Sequence, residues 1–292
     1  MRVSDSMMFG SVQRSTSGAQ ARLFETAARA SSQRAIDKPS DNPTAAARAV
    51  RIERVLAELD SAARTRNTVR TDLTVAESGL RSGIEVLENA LELSIQMGND
   101  SLSPTDRRAA AIAVDEHIKT LRGLANTRME DGRYIYGGTR DGSEPYPAAG
   151  GYIGGQSSRM VNIAPGATFD SAVVGSQGFG DTDLSFKVLE DFATALRNND
   201  LAGIQTAQEA IGRQLDATIP NLTGLGTRIQ ALDSMDTLAA NNKLALEIQR
   251  GSIVDGDFAK LISDFNAAST AMQAATSVGK QMLAFAFGSL SG

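Results

Sequence analysis

The 292 residues carry a formal net charge of −5, with no cysteine, no tryptophan and one histidine. Disulfides, thiolate zinc sites and cysteine nucleophiles are therefore excluded, and without a Lys/Arg-rich run no nucleic-acid partner is expected. Aromatics make up only 5% of the chain, too little bulk for one large globular core. The apolar residues are mostly Ala, Leu, Val and Ile, the palette of close-packed helices.

The chain reads first as a helix from about Ser4 to Ser32, with small or apolar residues at Met8, Val12, Ser15, Ala19, Leu23, Ala27 and Ala30. Two prolines four residues apart, in Asp37-Lys38-Pro39-Ser40-Asp41-Asn42-Pro43, enforce a loop. Asn42 suits an N-cap, with Pro43 at the first helical position. The next helix continues to about Gly98 along a seam that includes Ile52, Leu59, Val69, Leu73, Leu80, Leu87 and Leu91. At ~1.5 Å per residue it spans on the order of 80 Å, so an elongated body is expected. Ser103-Pro104 starts a further helix, with Ser103 as its cap.

Texture then changes. Residues 131–182 hold 12 of the 27 glycines, three of the seven prolines and all four tyrosines, which marks them as a small β-rich insert. Arg133-Tyr134-Ile135-Tyr136 and Met160-Val161-Asn162-Ile163 are its predicted strands. Helical pattern returns at Asp183 and runs to about Gly251, broken or kinked at Pro220. A hinge over Gly251–Gly256 precedes the last helix, capped by Asp257. Its apolar stripe is Phe258, Leu261, Phe265, Ala268, Met272, Ala275, Gly279, Met282 and Ala286, spaced by threes and fours like a coiled-coil seam.

Chemistry is sparse. His117 stands beside Asp115 and Glu116 in a helix, which suits a solvated or packing residue. Asp37, Asp41, Asp141, Asp181 and Asp183 lack the spacing of a calcium loop. The cluster Gly150-Gly151-Tyr152-Ile153-Gly154-Gly155 lacks the strand and helix of a dinucleotide site and reads as turns. No catalytic, cofactor or metal site is expected. Nor is a membrane span or a conventional signal peptide, since Met1-Arg2-Val3-Ser4-Asp5 leads into no apolar run.

A three-four stripe is most often an internal bundle core. Here the breaks at Pro39–Pro43 and Gly251–Gly256 set the two outer helices apart, and their small packing residues bury little area on their own. That favours helices that gain order on assembly. The expected assembly interface is Met8, Val12, Ala19, Leu23, Phe258, Leu261, Phe265, Met272 and Met282.

Four segments in order resemble the flagellar hook–filament junction family, the third hook-associated proteins (FlgL), within the flagellin-like superfamily. The opening Met1-Arg2-Val3-Ser4-Asp5-Ser6-Met7-Met8-Phe9 is one. The loop Pro39-Ser40-Asp41-Asn42-Pro43 is similar to the family's Pro-Ser-Asp-Asp/Asn-Pro. Gly132-Arg133-Tyr134 resembles its Gly-Arg-Tyr entry to a β domain, and Gly226-Thr227-Arg228 through Asp233 resembles its Gly-Ala-Arg-Leu-Asn-x-Leu-Asp helix segment. Ala30–Arg34 and Gln281–Phe287 depart from the family pattern.

The resemblance implies a mainly α, elongated flagellin-like rod with paired terminal helices and a central β-rich domain. Its expected domains are residues 1–40 with 252–292 for assembly, 41–130 with 183–251 as the helical rod, and 131–182 as the β-rich outer domain. It also implies a structural role joining hook to filament, reached by flagellar type III export. The implied partners are further copies of the chain, hook-associated protein 1 (FlgK), flagellin and an export chaperone such as FlgN. Flagellin itself and a cytoplasmic coiled-coil scaffold are the competing readings.

Overall fold

The computed structural model describes residues 2–36, 38–148, 151–180 and 184–288, with side chains described apart from those of 2–6, 8, 184–185, 283 and 285–288. In chain order its elements are α1 (Arg2–Ser32), α2 (Pro43–Met97), α3 (Pro104–Ala125), β1 (Met160–Ala164), β2 (Ala167–Asp170), α4 (Gly175–Phe179), α5 (Leu184–Arg197), α6 (Leu201–Val254) and α7 (Phe258–Gly288). Predominantly helical structure with one small sheet matches the expected fold class. Two compact units emerge, residues 1–57 with 241–292 and residues 58–240, the divisions falling within α2 and α6.

In the first unit, α1 packs on α7. Gln33 takes a left-handed turn at φ 57°, and a short antiparallel bridge joins Arg34 to Asp255. The Ala35 amide donates to the Val254 carbonyl at 2.8 Å, and the Gly256 amide donates to that of Gln33 at 2.9 Å. Asn42 caps α2 as its residue type predicts, its side-chain oxygen accepting from the Ala45 amide at 3.1 Å. Asp257 caps α7 by accepting from the Ala259 amide at 2.9 Å.

The second unit holds the main core. Leu73, Leu80, Leu87, Val114, Leu121, Phe186, Leu189, Phe192, Leu196, Ile204, Ile211 and Leu232 are fully buried. Ser103 starts α3 with a reciprocal capping box to Asp106, α3 lies against α5, and small residues such as Ala110, Ala111 and Ala193 are buried on these helices. Strands β1 and β2 form an antiparallel hairpin closed at Gly166, whose φ of 75° suits glycine.

Three expectations need correction. Of the break or kink expected at Pro220, the break does not occur, since α6 is continuous from Leu201 to Val254. Proline removes one ladder bond, the one its amide would give to the Asp216 carbonyl, and the polar side chains around it bond to neighbouring carbonyls. Thr218 Oγ1 donates to the Gln214 carbonyl at 2.8 Å and lies 3.1 Å from that of Gly178, while Asn221 Nδ2 donates to the Ala217 carbonyl at 2.9 Å. The real break in the run falls at Asn198–Asp200, where Asn199 has a φ of 52°. The hinge is also narrower than predicted, because Gly251 is helical and the chain leaves helix only at Asp255–Asp257. Finally, Arg133–Tyr136 is no strand. It makes one isolated bridge, Tyr134 to Arg128, and turns at Ile135 and Tyr136 before Gly137 bridges to Val174.

Candidate assembly interface

Helix α1 turns a consistent side towards α7. Val12, Thr16, Ala19, Leu23, Thr26, Ala27 and Ala30 are half-buried, within about 100° of helix circumference at ~100° per residue. Thr16 takes the inward place that the sequence pattern gives to Ser15, which is exposed. The Thr26 hydroxyl is satisfied within its own helix, donating to the Arg22 carbonyl at 2.9 Å. On α7 the inward residues are Leu261, Phe265, Ala268, Met272, Ala275 and Gly279, inside an arc of about 80°. The two helices come close enough that a Cβ on Gly279 would lie 3.1 Å from Val12 Cγ1. Small residues at the seam permit that approach.

Most of the stripe is thus engaged within the chain, and the structure separates it into two sets. Val12, Ala19, Leu23, Leu261, Phe265 and Met272 lie along the α1–α7 seam, whereas Phe258 and Met282 are exposed. The Met8 side chain lies outside the described residues. Phe258 with Ile262 flanks one edge of the α7 seam by helical phase, and Val278 with Met282 flanks the other. Exposed Met7, Phe9 and Phe24 add to this surface on α1. Seam-counting missed these residues because it searches for one periodic line, and an outer surface is built from residues off that line.

The imbalance between the units is large. Of the sixteen large apolar side chains exposed among the described residues, ten belong to the first unit, including Val50, Leu244 and Ile248. Among the described residues only Ala49, Ile52, Leu56 and Leu261 of that unit's large or apolar side chains are buried. A unit with so little interior and so much apolar surface has the character of an interaction surface.

The motif residues act as fasteners. In the loop, the Asp41 carboxylate accepts from the Lys38 amide at 3.2 Å and pairs with Arg29 at 3.4 Å; Pro39, Ser40 and Pro43 shape the turn into α2. In the second unit, Gly132 has a φ of 89°, and Arg133 pairs with Asp131 at 2.6 Å and with Asp72 of α2 at 3.2 Å. The Tyr134 ring lies under the Arg128 guanidinium at 5.9 Å. On α6, Gly226 has open space around it. Arg228 donates to the carbonyls of Asp170 and Ala172, the latter at 3.0 Å, and stands over the Phe169 ring. Asp233 pairs with Arg70 at 2.8 Å, and Asp236 with Arg66 at 2.5 Å. Arg66, 2% exposed, also donates to the Ile163 carbonyl of β1. Together these contacts hold the β hairpin and the turns before it to α2 and α6.

Two buried groups escaped sequence reading. The Tyr136 hydroxyl donates to the Ala76 carbonyl at 2.6 Å, and burial pushes its pKa up. Arg107 is 2% exposed and ties the α2–α3 turn to Asn199, donating to the carbonyls of Met97 at 3.0 Å and Asn99 at 2.7 Å. His117 is half-buried, and desolvation lowers its pKa. Among the described residues no group of three His, Cys, Asp or Glu side chains could hold a metal ion. No described helix is long and apolar enough to cross a membrane.

Residues 3–141 match the family model of the bacterial flagellin N-terminal helical region. The chain is 26% identical to flagellar hook-associated protein 3 of Salmonella typhimurium and 27% identical to that of Escherichia coli, over 94% of this chain and 94% of each relative. The crystal structure of Bacillus cereus FlgL superposes with a TM-score of 0.61 at 24% identity, covering 69% of this chain and 99% of that one. The flagellar junction protein FlgL of Legionella pneumophila gives a TM-score of 0.58 at 14% identity, covering 72% and 100%. The structural likeness concerns the fold, and the sequence likeness spans almost the whole of both chains. The chain is thus similar to flagellar hook-associated protein 3 over almost its whole length, and its residues 3–141 resemble the flagellin N-terminal helical region.

Proposed function

We propose that this chain is a structural subunit of the bacterial flagellum, set between hook and filament. The carrying observation is the α1–α7 pair, which leaves Met7, Phe9, Phe24, Phe258, Ile262, Val278 and Met282 facing outward. Burying one such side chain fully contributes about 1.5–3 kcal/mol. Several shared with neighbours are needed to offset an association cost of roughly 4–15 kcal/mol, and the first unit supplies them. In this reading residues 1–40 with 252–292 form the assembly domain, 41–130 with 183–251 the rod, and 131–182 the outer domain. Further copies, hook-associated protein 1 on the hook side and flagellin on the filament side cover the apolar surface after type III export. A chaperone of the FlgN kind covers α7 beforehand.

A test is a strain whose only copy lacks residues 257–292. It is expected to make hooks without filaments and to release unpolymerised flagellin into the medium. Attached filaments on those cells would refute the assembly role. Flagellin itself is the second reading, favoured by the match of residues 3–141 to the flagellin N-terminal region. Deleting the whole chain separates the two, since loss of a filament subunit would leave no flagellin of this sequence to release.

A further inference from the structure

Residues 216–227 of α6 bring together several things that weaken a helix. Pro220 leaves the Asp216 carbonyl without its ladder bond. Gly224 and Gly226 follow, both helical, and a Cβ on either would meet nothing within 4 Å. Alanine would fit at both places and favour the helix about fivefold, so packing gives no reason for glycine. Side chains in the same stretch also bond back to carbonyls one turn earlier: Thr218 to Gln214 at 2.8 Å, Asn221 to Ala217 at 2.9 Å, Thr223 to Ile219 at 3.1 Å and Thr227 to Thr223 at 3.0 Å. Such back-bonding loosens a helix, and proline and glycine are where helices bend.

A second element grips α6 at this point. Helix α4 is seated on α2: a Cβ on Gly178 would lie 2.8 Å from Leu80 Cδ1, and one on Gly83 would lie 3.0 Å from Phe179 Cε1. The Gly175 amide donates to the Tyr136 carbonyl at 3.0 Å, and the Tyr146 hydroxyl donates to the Gly180 carbonyl at 3.0 Å. From this seat α4 offers carbonyls to two side chains of α6 that stand on either side of Pro220. The Thr218 hydroxyl shares its proton with the Gly178 carbonyl at 3.1 Å, and Asn221 Nδ2 donates to the Gln177 carbonyl at 2.5 Å. A cleft of about 120 Å³, lined in part by Leu80, Val173, Pro220 and Gly224, leaves space beside the same stretch.

We propose that residues 216–227 are a flexure point in α6 and that α4 is the strap that holds it. With both bonds to α4 made, α6 keeps one line through Pro220. With them broken it bends there, while the buried Ile204, Ile211 and Leu232 on either side stay packed. The device belongs to the single chain and needs no neighbouring copy.

The test uses the full chain with spin labels at Gln205→Cys and Gln230→Cys, both exposed sites on α6. No native cysteine competes for the label, and the helix between the sites spans on the order of 38 Å. Cutting the strap with T218V/N221A is expected to broaden the dipolar distance distribution and add shorter distances. Amide exchange at residues 221–226 is expected to rise at least about tenfold, with Ile204–Ile211 unchanged. Adding P220A/G224A/G226A to the cut chain is expected to restore one narrow distance and slow exchange. Far-UV spectra verify each fold; if T218V/N221A loses helix overall, N221A alone takes its place.

A distribution unchanged by cutting the strap, exchange rising equally along all of α6, or a cut chain that the alanines do not narrow would overturn the proposal. Every measurement is made on the isolated chain, so its failure leaves the flagellar reading untouched.

Discussion

Gly79 offers the sharpest test of the packing in the second unit. A Cβ built there would lie 2.5 Å from Tyr136 Oη and 3.5 Å from Cζ. The ring cannot swing away, because Tyr136 is 1% exposed, meets Phe179 edge-on at 4.9 Å and donates its hydroxyl to the Ala76 carbonyl at 2.6 Å. Gly79→Ala therefore sets two effects against each other. Replacing glycine inside a helix gains about 1 kcal/mol of propensity. Overpacking a well-filled core costs about 1–3 kcal/mol, and displacing the hydroxyl forfeits a bond whose net value is about 0.5–1.5 kcal/mol. The sum is a loss of about 0.5–3.5 kcal/mol, centred near 2 kcal/mol, to be read by urea unfolding followed by far-UV circular dichroism.

Two controls fix the cause. Gly123→Ala, at an exposed helical site with nothing within 4 Å, should stabilise by up to about 1 kcal/mol. Adding Tyr136→Phe to Gly79→Ala removes the 2.5 Å clash, so the double variant should be at least as stable as Tyr136→Phe alone. A Gly79→Ala chain as stable as wild type, or a double variant whose losses simply add, would refute the reasoning.

Further predictions concern the fasteners. Arg66→Ala strips the buried partner from Asp236 and the donor from the Ile163 carbonyl. A loss of about 2–4 kcal/mol is expected, with hydrogen exchange rising first in Met160–Asp170; uniform exchange across the chain would argue against a local fastener. Burial raises the Asp170 carboxyl pKa, but the Ala172 and Arg159 amides, the Ser158 hydroxyl and the Arg228 charge outweigh it, so it lies below the ordinary value near 3.8. A depressed pKa contributes stability above the unfolded value and loses it as pH falls through the folded one. The difference between wild type and Asp170→Asn in urea unfolding should be steady above about pH 5 and vanish towards pH 2. A difference unchanged at low pH would exclude the charge as its source.

Where local chemistry decides structure, the sequence is a reliable guide. Ser103 with Pro104, Asn42 with Pro43, and Asp257 each start a helix where their side chains imply. The long seam of α2 is legible because one side of it is buried for turn after turn. Reading fails where a distant segment makes the decision. Pro220 looks like a breaker, yet α6 runs through it, held on either side by Thr218 and Leu225, which are buried in the second unit. Arg133–Tyr136 alternates like a strand, yet Tyr136 turns inward to bond α2 instead. Arg66 and Arg107 have the composition of surface residues, and only tertiary partners explain their burial. In the candidate interface the inward stripe was visible, whereas the outward set of Met7, Phe9, Phe24, Ile262 and Val278 required knowing which line the partner helix had already taken.

The pairing of α1 with α7 also sets an order of events during synthesis. Ser32 and Phe258 are separated by 225 residues, and closing so long a loop costs about 5 kcal/mol of chain entropy beyond a constant. All residues of the second unit precede α7, so every contact of that unit can form while α1 is still waiting for its mate. A nascent chain therefore carries Val12, Ala19 and Leu23 uncovered for most of its synthesis. Its first helix is among the last parts to find shelter.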